Sequence, residues 1–188
     1  MGEKLLIDVC CGPCSLVLDH EVEFDKSTSR FLFYNPNVHP WSEYKRRLDA
    51  FLAFMEGGGF NYEVLPWSPE EWIRAISFRE ENRCEMCYRL RLRRTADYAM
   101  EEGFSVFTTT LLASPWQNHE MIGLLGGSIA TSRGQRFLTW DGREYYHEGL
   151  REARTRGLYT QPWCGCIFSE RERYDKTRRE AGPGRPCA

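Results

Sequence analysis

A chain of 188 residues is long enough for one domain that buries about 70% of the surface its unfolded form would expose, with no need of a disulfide staple. Hydrophobic residues at 41% and charged residues at 28% are ordinary for a soluble globular protein, and a net charge of -2 excludes a globally basic nucleic-acid binder while leaving room for a local basic face. No apolar run approaches the roughly 20 residues of a membrane span and no signal-peptide pattern opens the chain, so the expected setting is cytoplasmic, without a membrane partner. Eight cysteines in such a setting argue against a disulfide framework and for metal or redox chemistry.

In chain order, Leu5, Leu6, Ile7 and Val9 read as a buried strand that Gly12-Pro13 breaks. Ser15 is placed to cap a helix to about Glu23, with Leu16, Val17 and Leu18 against the sheet. Phe31 to Tyr34 is a second strand, ended by Asn35-Pro36. Ser42 then caps a long helix whose apolar stripe is Tyr44, Leu48, Phe51, Leu52 and Met55, stopped by three glycines at 57–59. Tyr62 to Leu65 is a third strand. Ser68-Pro69-Glu70-Glu71 combines a cap, a first-turn proline and a capping-box glutamate. A linker through Glu81 leads to Cys84-x-x-Cys87, which opens a helix to about Met100. Val106 to Thr110 is a fourth strand, and Ser114-Pro115 repeats the helix-start signature for a helix to about Ala130. Arg136 to Trp140 reads as a further strand, Tyr145 to Arg156 as a helix, Tyr159 to Cys166 as a loop, and residues 182–188, with Cys187, as a disordered tail. Strands alternating with helices imply βαβ units, hence a single α/β domain, residues 1–181, around a mainly parallel sheet.

Ligands of open α/β sheets sit beyond the carboxyl ends of the strands, which is where Cys10, Cys11 and Cys14 fall. Cys84 and Cys87, three apart at a helix start, share a face and offer two further thiols. Soft thiolates select zinc, Cu(I) or iron-sulfur groups. The adjacent pair Cys10-Cys11 is awkward for a zinc knuckle, because side chains alternate along an extended strand, whereas a cluster has several corners to fill. Cys11-Gly12-Pro13-Cys14 is also a thioredoxin-type redox motif. Cys164-Gly165-Cys166 is too tight for ordinary zinc pairing, but suits a strained, easily reduced disulfide or delivery of electrons and protons to a site. On the helix after Cys87, Arg89 and Arg93 fall on one flank, Arg91 and Arg94 on the other, a basic patch suited to an RNA backbone or simply to solvent.

Five stretches carry a resemblance: L-L-I-D-V-C-C-G-P-C-S, F-Y-N-P-N-V-H-P-W-S-E-Y-x-R-R, C-x-x-C-Y-x-L-R-L-x-x-T-A, F-T-T-T-L-L-A-S-P and Y-T-Q-P-W-C-G-C-I-F-S-E-R. In order and spacing they resemble the QueH-type epoxyqueuosine reductases over residues 5 to about 171. The resemblance implies a Rossmann-like three-layer fold of the HUP type, with cysteines where related enzymes carry a nucleotide loop. It implies a [4Fe-4S] cluster held by Cys10, Cys11, Cys84 and Cys87, and a second, mononuclear iron for which Cys14 is an expected ligand. Asp8 stands where a histidine is usual in the family, and reads as a ligand, a proton donor or a structural anchor.

The reaction so implied removes the epoxide oxygen of epoxyqueuosine at the tRNA wobble position, with electrons from an external donor and a redox or site role for Cys164 and Cys166. Tyr34, Asn35, His39, Glu43 and the threonines at 108–110, Thr109 among them, stand at strand ends where pocket walls are expected. A zinc-stabilised RNA-binding module and a thioredoxin-like oxidoreductase are the competing classes.

Overall fold

The computed structural model describes residues 4–175. Among the described residues, five parallel strands form one sheet: β1 (Leu6–Asp8), β2 (Arg30–Phe33), β3 (Tyr62–Val64), β4 (Val106–Thr109) and β5 (Arg136–Phe137), in the spatial order β3-β2-β1-β4-β5. Seven helices of the same residues complete the layers: α1 (Gly12–Glu21), α2 (Trp41–Gly58), α3 (Pro69–Ile76), α4 (Arg83–Glu101), α5 (His119–Thr131), α6 (Tyr146–Thr155) and α7 (Ile167–Tyr174). This is the parallel α/β sheet the alternation implied and the Rossmann-like layering the resemblance implied, with β1 central and its carboxyl end at the point where the strand order reverses.

Because side chains alternate along a strand, β1 feeds two cores. Leu5, Ile7 and Val9 pack with Phe31, Phe33 and the α2 residues Phe51, Phe54 and Met55. Leu6 packs with Leu32, Phe107 and the α4 and α5 residues Leu92, Ala96, Ile122 and Ile129. Asp8 follows Leu6 by two and therefore projects toward α4. That parity decides which polar groups Asp8 can reach.

Several expected boundaries shift for local reasons. Helix α1 starts at Gly12, not after Ser15: Cys11 occupies the N-cap position, Pro13 takes the first turn that its fixed φ suits, and Ser15 lies inside, donating to the Cys11 carbonyl at 3.4 Å. Helix α2 follows Pro40, so Ser42 is already helical; its end is as expected, with Gly59 in the left-handed conformation at φ 64°. Ser68 does stand at the N-cap of α3, without a side-chain capping bond.

The Ser114-Pro115 signature does not open α5. Residues Thr110–Ala113 form a 3-10 turn, the Ser114 hydroxyl accepts from Trp116 N at 3.3 Å, and Asn118 caps the helix by accepting from Met121 N at 3.0 Å. The fifth strand is only two residues long; Tyr159 to Cys166 is a loop as expected, and the helix α7 that follows it was not foreseen. Among the described residues no helix is long and apolar enough to cross a membrane. The expected tail at 182–188, with Cys187, lies outside the described residues.

Candidate metal centre

Cys10 lies two residues past the end of β1, Cys11 is the N-cap of α1, and Cys14 lies on that helix's first turn. The chain turns at the strand end, so the adjacent thiols converge: Sγ of Cys10 and Cys11 are 3.7 Å apart, and those of Cys11 and Cys14 are 3.1 Å apart. The three sulfurs lie within 4.8 Å of one another and all three residues are buried. Gly12 lets the start of α1 pass close against the backbone of α2. A Cβ there would stand 2.8 Å from the Ala50 carbonyl oxygen of α2.

The surroundings separate the three thiols. Burial pushes the Cys11 thiol up, but hydrogen bonds with Cys10 and Cys14, the Arg47 charge and the Gln161 amide outweigh it and hold it well below the ordinary thiol range. Gln161 Nε2 donates to Cys11 Sγ at 2.8 Å. Cys10 is pushed up to about 12 by its hydrogen bond with Cys11, and Cys14 is raised by its bonds with Cys10 and Cys11. Cys11 is therefore the sulfur that carries negative charge first. The buried Arg47 that faces it is itself fixed on three sides: Nε donates to Glu43 at 2.8 Å, Nη1 to the Cys164 carbonyl at 2.8 Å and Nη2 to the Trp163 carbonyl at 3.0 Å.

Beneath the trio, Arg91 Nη2 donates to both carboxylate oxygens of Asp8, at 2.9 and 2.7 Å, and Thr109 Oγ1 donates to Asp8 Oδ2 at 2.6 Å. Asp8 is 0% exposed and Arg91 1%. Burial raises the carboxyl above its usual range, opposed by the Arg91 charge and the Thr109 hydroxyl. Arg91, expected in the basic patch of α4, is instead buried against Asp8. Counting along the helix puts it beside Arg94, but the carboxylate on β1 draws it into the interior. Of the remaining patch, Arg89 pairs with Glu85 and Arg94 with Glu101, while Arg93 is exposed.

Cys84 and Cys87, one turn apart on α4, line a crevice together with Cys164, Cys166, Trp72 and Arg91. Cys84 also packs against the core group that contains Cys10, Cys11 and Cys14, and the Arg91 guanidinium lies in the field of both Cys10 and Cys87. The two thiol groups thus meet across one buried cation. The tight group within 4.8 Å contains the opening trio and neither Cys84 nor Cys87.

Residues expected as walls after β2 take other roles. Tyr34 donates to Glu71 at 2.6 Å, and Asn35 Nδ2 donates to the Val9 carbonyl at 2.8 Å. His39 packs against Trp67 and Trp72, and Glu43 holds Arg47 and accepts from Tyr159 at 2.7 Å. None of the four lines the crevice, whereas Asn37 does. Thr109 is buried on Asp8. Thr110, one residue further, accepts from Cys10 N at 3.0 Å.

Sequence reasoning missed Arg47, Gln161 and Tyr146. Tyr146, at the start of α6, is held protonated first by burial and then by the charges of Cys14, Cys11 and Cys10. The signal for Gln161 was present in Q-P-W-C-G-C, three residues ahead of Cys164. Arg47 closes the stretch F-Y-N-P-N-V-H-P-W-S-E-Y-x-R-R, four residues after its partner Glu43.

Three buried soft donors, one of them held toward the thiolate, suit a metal-sulfur group. Cys11, 1% exposed, is closed to attack on a protein disulfide, as a thioredoxin-like role requires.

A family model described as epoxyqueuosine reductase QueH matches residues 5–172. The chain is 37% identical over 182 residues to the epoxyqueuosine reductase QueH of Thermotoga maritima, covering 92% of this chain and 93% of that protein. It is 31% identical over 182 residues to that of Dehalococcoides mccartyi, covering 96% of this chain and all of that protein. It is 31% identical over 180 residues to that of Acinetobacter baylyi, at 91% and 82% coverage.

Proposed function

Since this chain belongs to the epoxyqueuosine reductase QueH family, we propose that it acts on epoxyqueuosine at the wobble position of tRNA, with two electrons and two protons taking the epoxide oxygen away as water and leaving the cyclopentene of queuosine. The chain is an oxidoreductase. The observation that carries the reading is the buried sulfur trio just beyond the carboxyl end of the central strand, with Cys84 packed against the same core group and lining, together with Cys87, a crevice beside Arg91.

The donor set suits a [4Fe-4S] cluster on Cys10, Cys11, Cys84 and Cys87, with Cys14 as ligand of a second iron. Asp8 has both oxygens committed to Arg91 and Thr109 and serves as an anchor beneath the site, not as a ligand. When bound, such a centre supplies electrons at low potential and a Lewis acid for the epoxide oxygen.

The chain's own residues set the conditions around it. Arg47 and Arg91 are buried cations that offset the negative charge of grouped thiolates, a large effect where water is excluded. Gln161 fixes the orientation of Cys11 by its 2.8 Å bond. Arg93, with Arg89 and Arg94, offers the tRNA backbone a basic strip on α4, whose first turn carries Cys84 at the crevice. The electrons come from an external donor.

Anaerobically purified protein should contain iron and acid-labile sulfide and convert epoxyqueuosine in tRNA to queuosine. Cys10→Ala and Cys84→Ala should lose both the metal and the conversion. Colourless protein with one zinc and no conversion would support the non-catalytic module instead.

A further inference from the structure

Two buried N–H groups on the crevice wall have no acceptor among the described residues: the indole Nε1 of Trp72 and Nε of Arg91. Both residues are 1% exposed. An indole N–H can only donate, and a buried donor left unpaired is destabilising, so such a group marks a place where a further acceptor belongs. A third unpaired atom of the crevice, Asn37 Oδ1, is itself an acceptor and calls for a donor instead.

The indole has a fixed direction. Trp72 and Ile76, one turn apart, form the buried face of α3 and pack against Cys87 and Leu90 of α4 and against Cys164, Cys166 and Phe168. The ring sits between those of His39, at 5.0 Å between centroids, and Phe168, at 6.3 Å. His39 is tied in turn by its backbone N–H to the Gly165 carbonyl at 2.9 Å. Arg91 is fixed from its far end, where Nη2 is committed to Asp8, and its charge lies in the field of both Cys10 and Cys87. Four of the residues that line the crevice are cysteines, so the acceptor this wall supplies is sulfur.

We propose that Trp72 tunes the metal-sulfur group: its indole N–H, and beside it the Nε–H of Arg91, donate hydrogen bonds to sulfur atoms of the group that Cys84 and Cys87 help to hold. This rests on the reading of the thiols as metal ligands and adds what sets the potential of the group they hold. An added electron makes those sulfurs more negative and better acceptors. The bonds therefore favour the reduced state and raise the reduction potential. Because packing already orients the ring, the indole need not turn when the electron arrives.

Full-length protein, loaded with iron and sulfide under anaerobic conditions, is titrated potentiometrically while the reduced centre is followed by electron paramagnetic resonance. Two variants are compared with the parent. Trp72→Phe removes the N–H together with some volume. Exchange of the Trp72 indole for benzothiophene, by site-specific incorporation of benzothienylalanine, removes the N–H and keeps the ring. The isosteric variant should carry the parent's iron and sulfide and hold the electron about three- to tenfold less tightly, a fall of roughly 28–59 mV for a one-electron couple. A potential equal to the parent's, or higher, in the isosteric variant overturns the proposal, whether or not Trp72→Phe folds.

A second measurement does not involve the potential. The centre assembled in D2O should show iron-sulfur stretching bands in resonance Raman spectra displaced from those in H2O, and the displacement should be smaller in the isosteric variant. The same displacement in both proteins overturns the proposal. A parent protein that binds no iron and sulfide removes the metal reading itself, and the role of Trp72 with it. A parent that binds both, while the isosteric exchange leaves its potential unchanged, removes the role of Trp72 alone.

Discussion

Removing Arg91 isolates the carboxylate beneath the site, and the cost can be worked from its hydrogen bonds. Asp8 is 0% exposed and receives three hydrogen bonds at 2.6 to 2.9 Å, two from Arg91 Nη2 and one from Thr109. Arg91→Met fills most of the volume but leaves an anion with a single hydroxyl for company. Breaking a buried pair by deleting one partner costs about 3–5 kcal/mol. For a domain of this size each kcal/mol is worth about 2–4 °C, so the melting temperature should fall by roughly 6–20 °C. Asp8→Leu combined with Arg91→Met removes both charges, and should recover most of that loss because no unpaired ion remains; the Thr109 hydroxyl, which still accepts from Leu111 N, loses only its acceptor. Thermal unfolding of the four proteins of this cycle measures the coupling. If Arg91→Met alone melted within about 2 °C of the parent, the pair would not anchor the floor of the site.

Other consequences are accessible to the same kind of measurement. Gly165→Ala puts a Cβ 2.8 Å from Val38 Cγ2 and 3.0 Å from Arg47 Nη1 at a positive φ, and should cost about 2–4 kcal/mol in denaturant unfolding; a neutral result would mean that Arg47 and His39 do not clamp the Cys164–Cys166 segment. Burial lowers the His39 pKa, so the unfolded chain binds the proton more readily: stability should be intact above about pH 6.5 and decline as the pH falls toward the depressed folded value, a slope that His39→Phe should remove. Gln161→Leu removes the donor to Cys11 and, if the proposed iron centre is bound there, should lower its retention against a chelator by roughly 10- to 100-fold without unfolding the chain. Replacing Arg89, Arg93 and Arg94 by Ala should weaken tRNA binding and flatten its dependence on salt by about one unit of log–log slope for each phosphate no longer neutralised, while Arg91→Met should leave that slope unchanged.

The periodic signals carried the fold. A two-residue alternation in L-L-I-D-V and a three-to-four spacing in α2 determine which faces meet, and those faces meet as expected. The opening cysteines were legible for the same reason, since the end of the central strand is where such sheets place chemistry. What stayed hidden was pairing at long range. Arg91 reads as a surface cation until β1 supplies a carboxylate 83 residues away. Gln161 reaches Cys11 across 150 residues, and Arg47 reaches Cys164 across 117. Helix starts failed where a competing local bond existed: the Ser114 hydroxyl serves a turn, and Cys11, not a residue usual at caps, takes the first position of α1.

The Gln161–Cys11 bond also bears on the order of assembly. A ribosome finishes the thiols of α1 long before it makes the amide that orients one of them or the carbonyls that steady Arg47. Until the closing segment docks, the central sheet can form while its edge stays open and its sulfurs remain reachable. The proposed metal-sulfur group would be inserted most simply in that interval, and docking of residues 159–169 afterwards would seal it in.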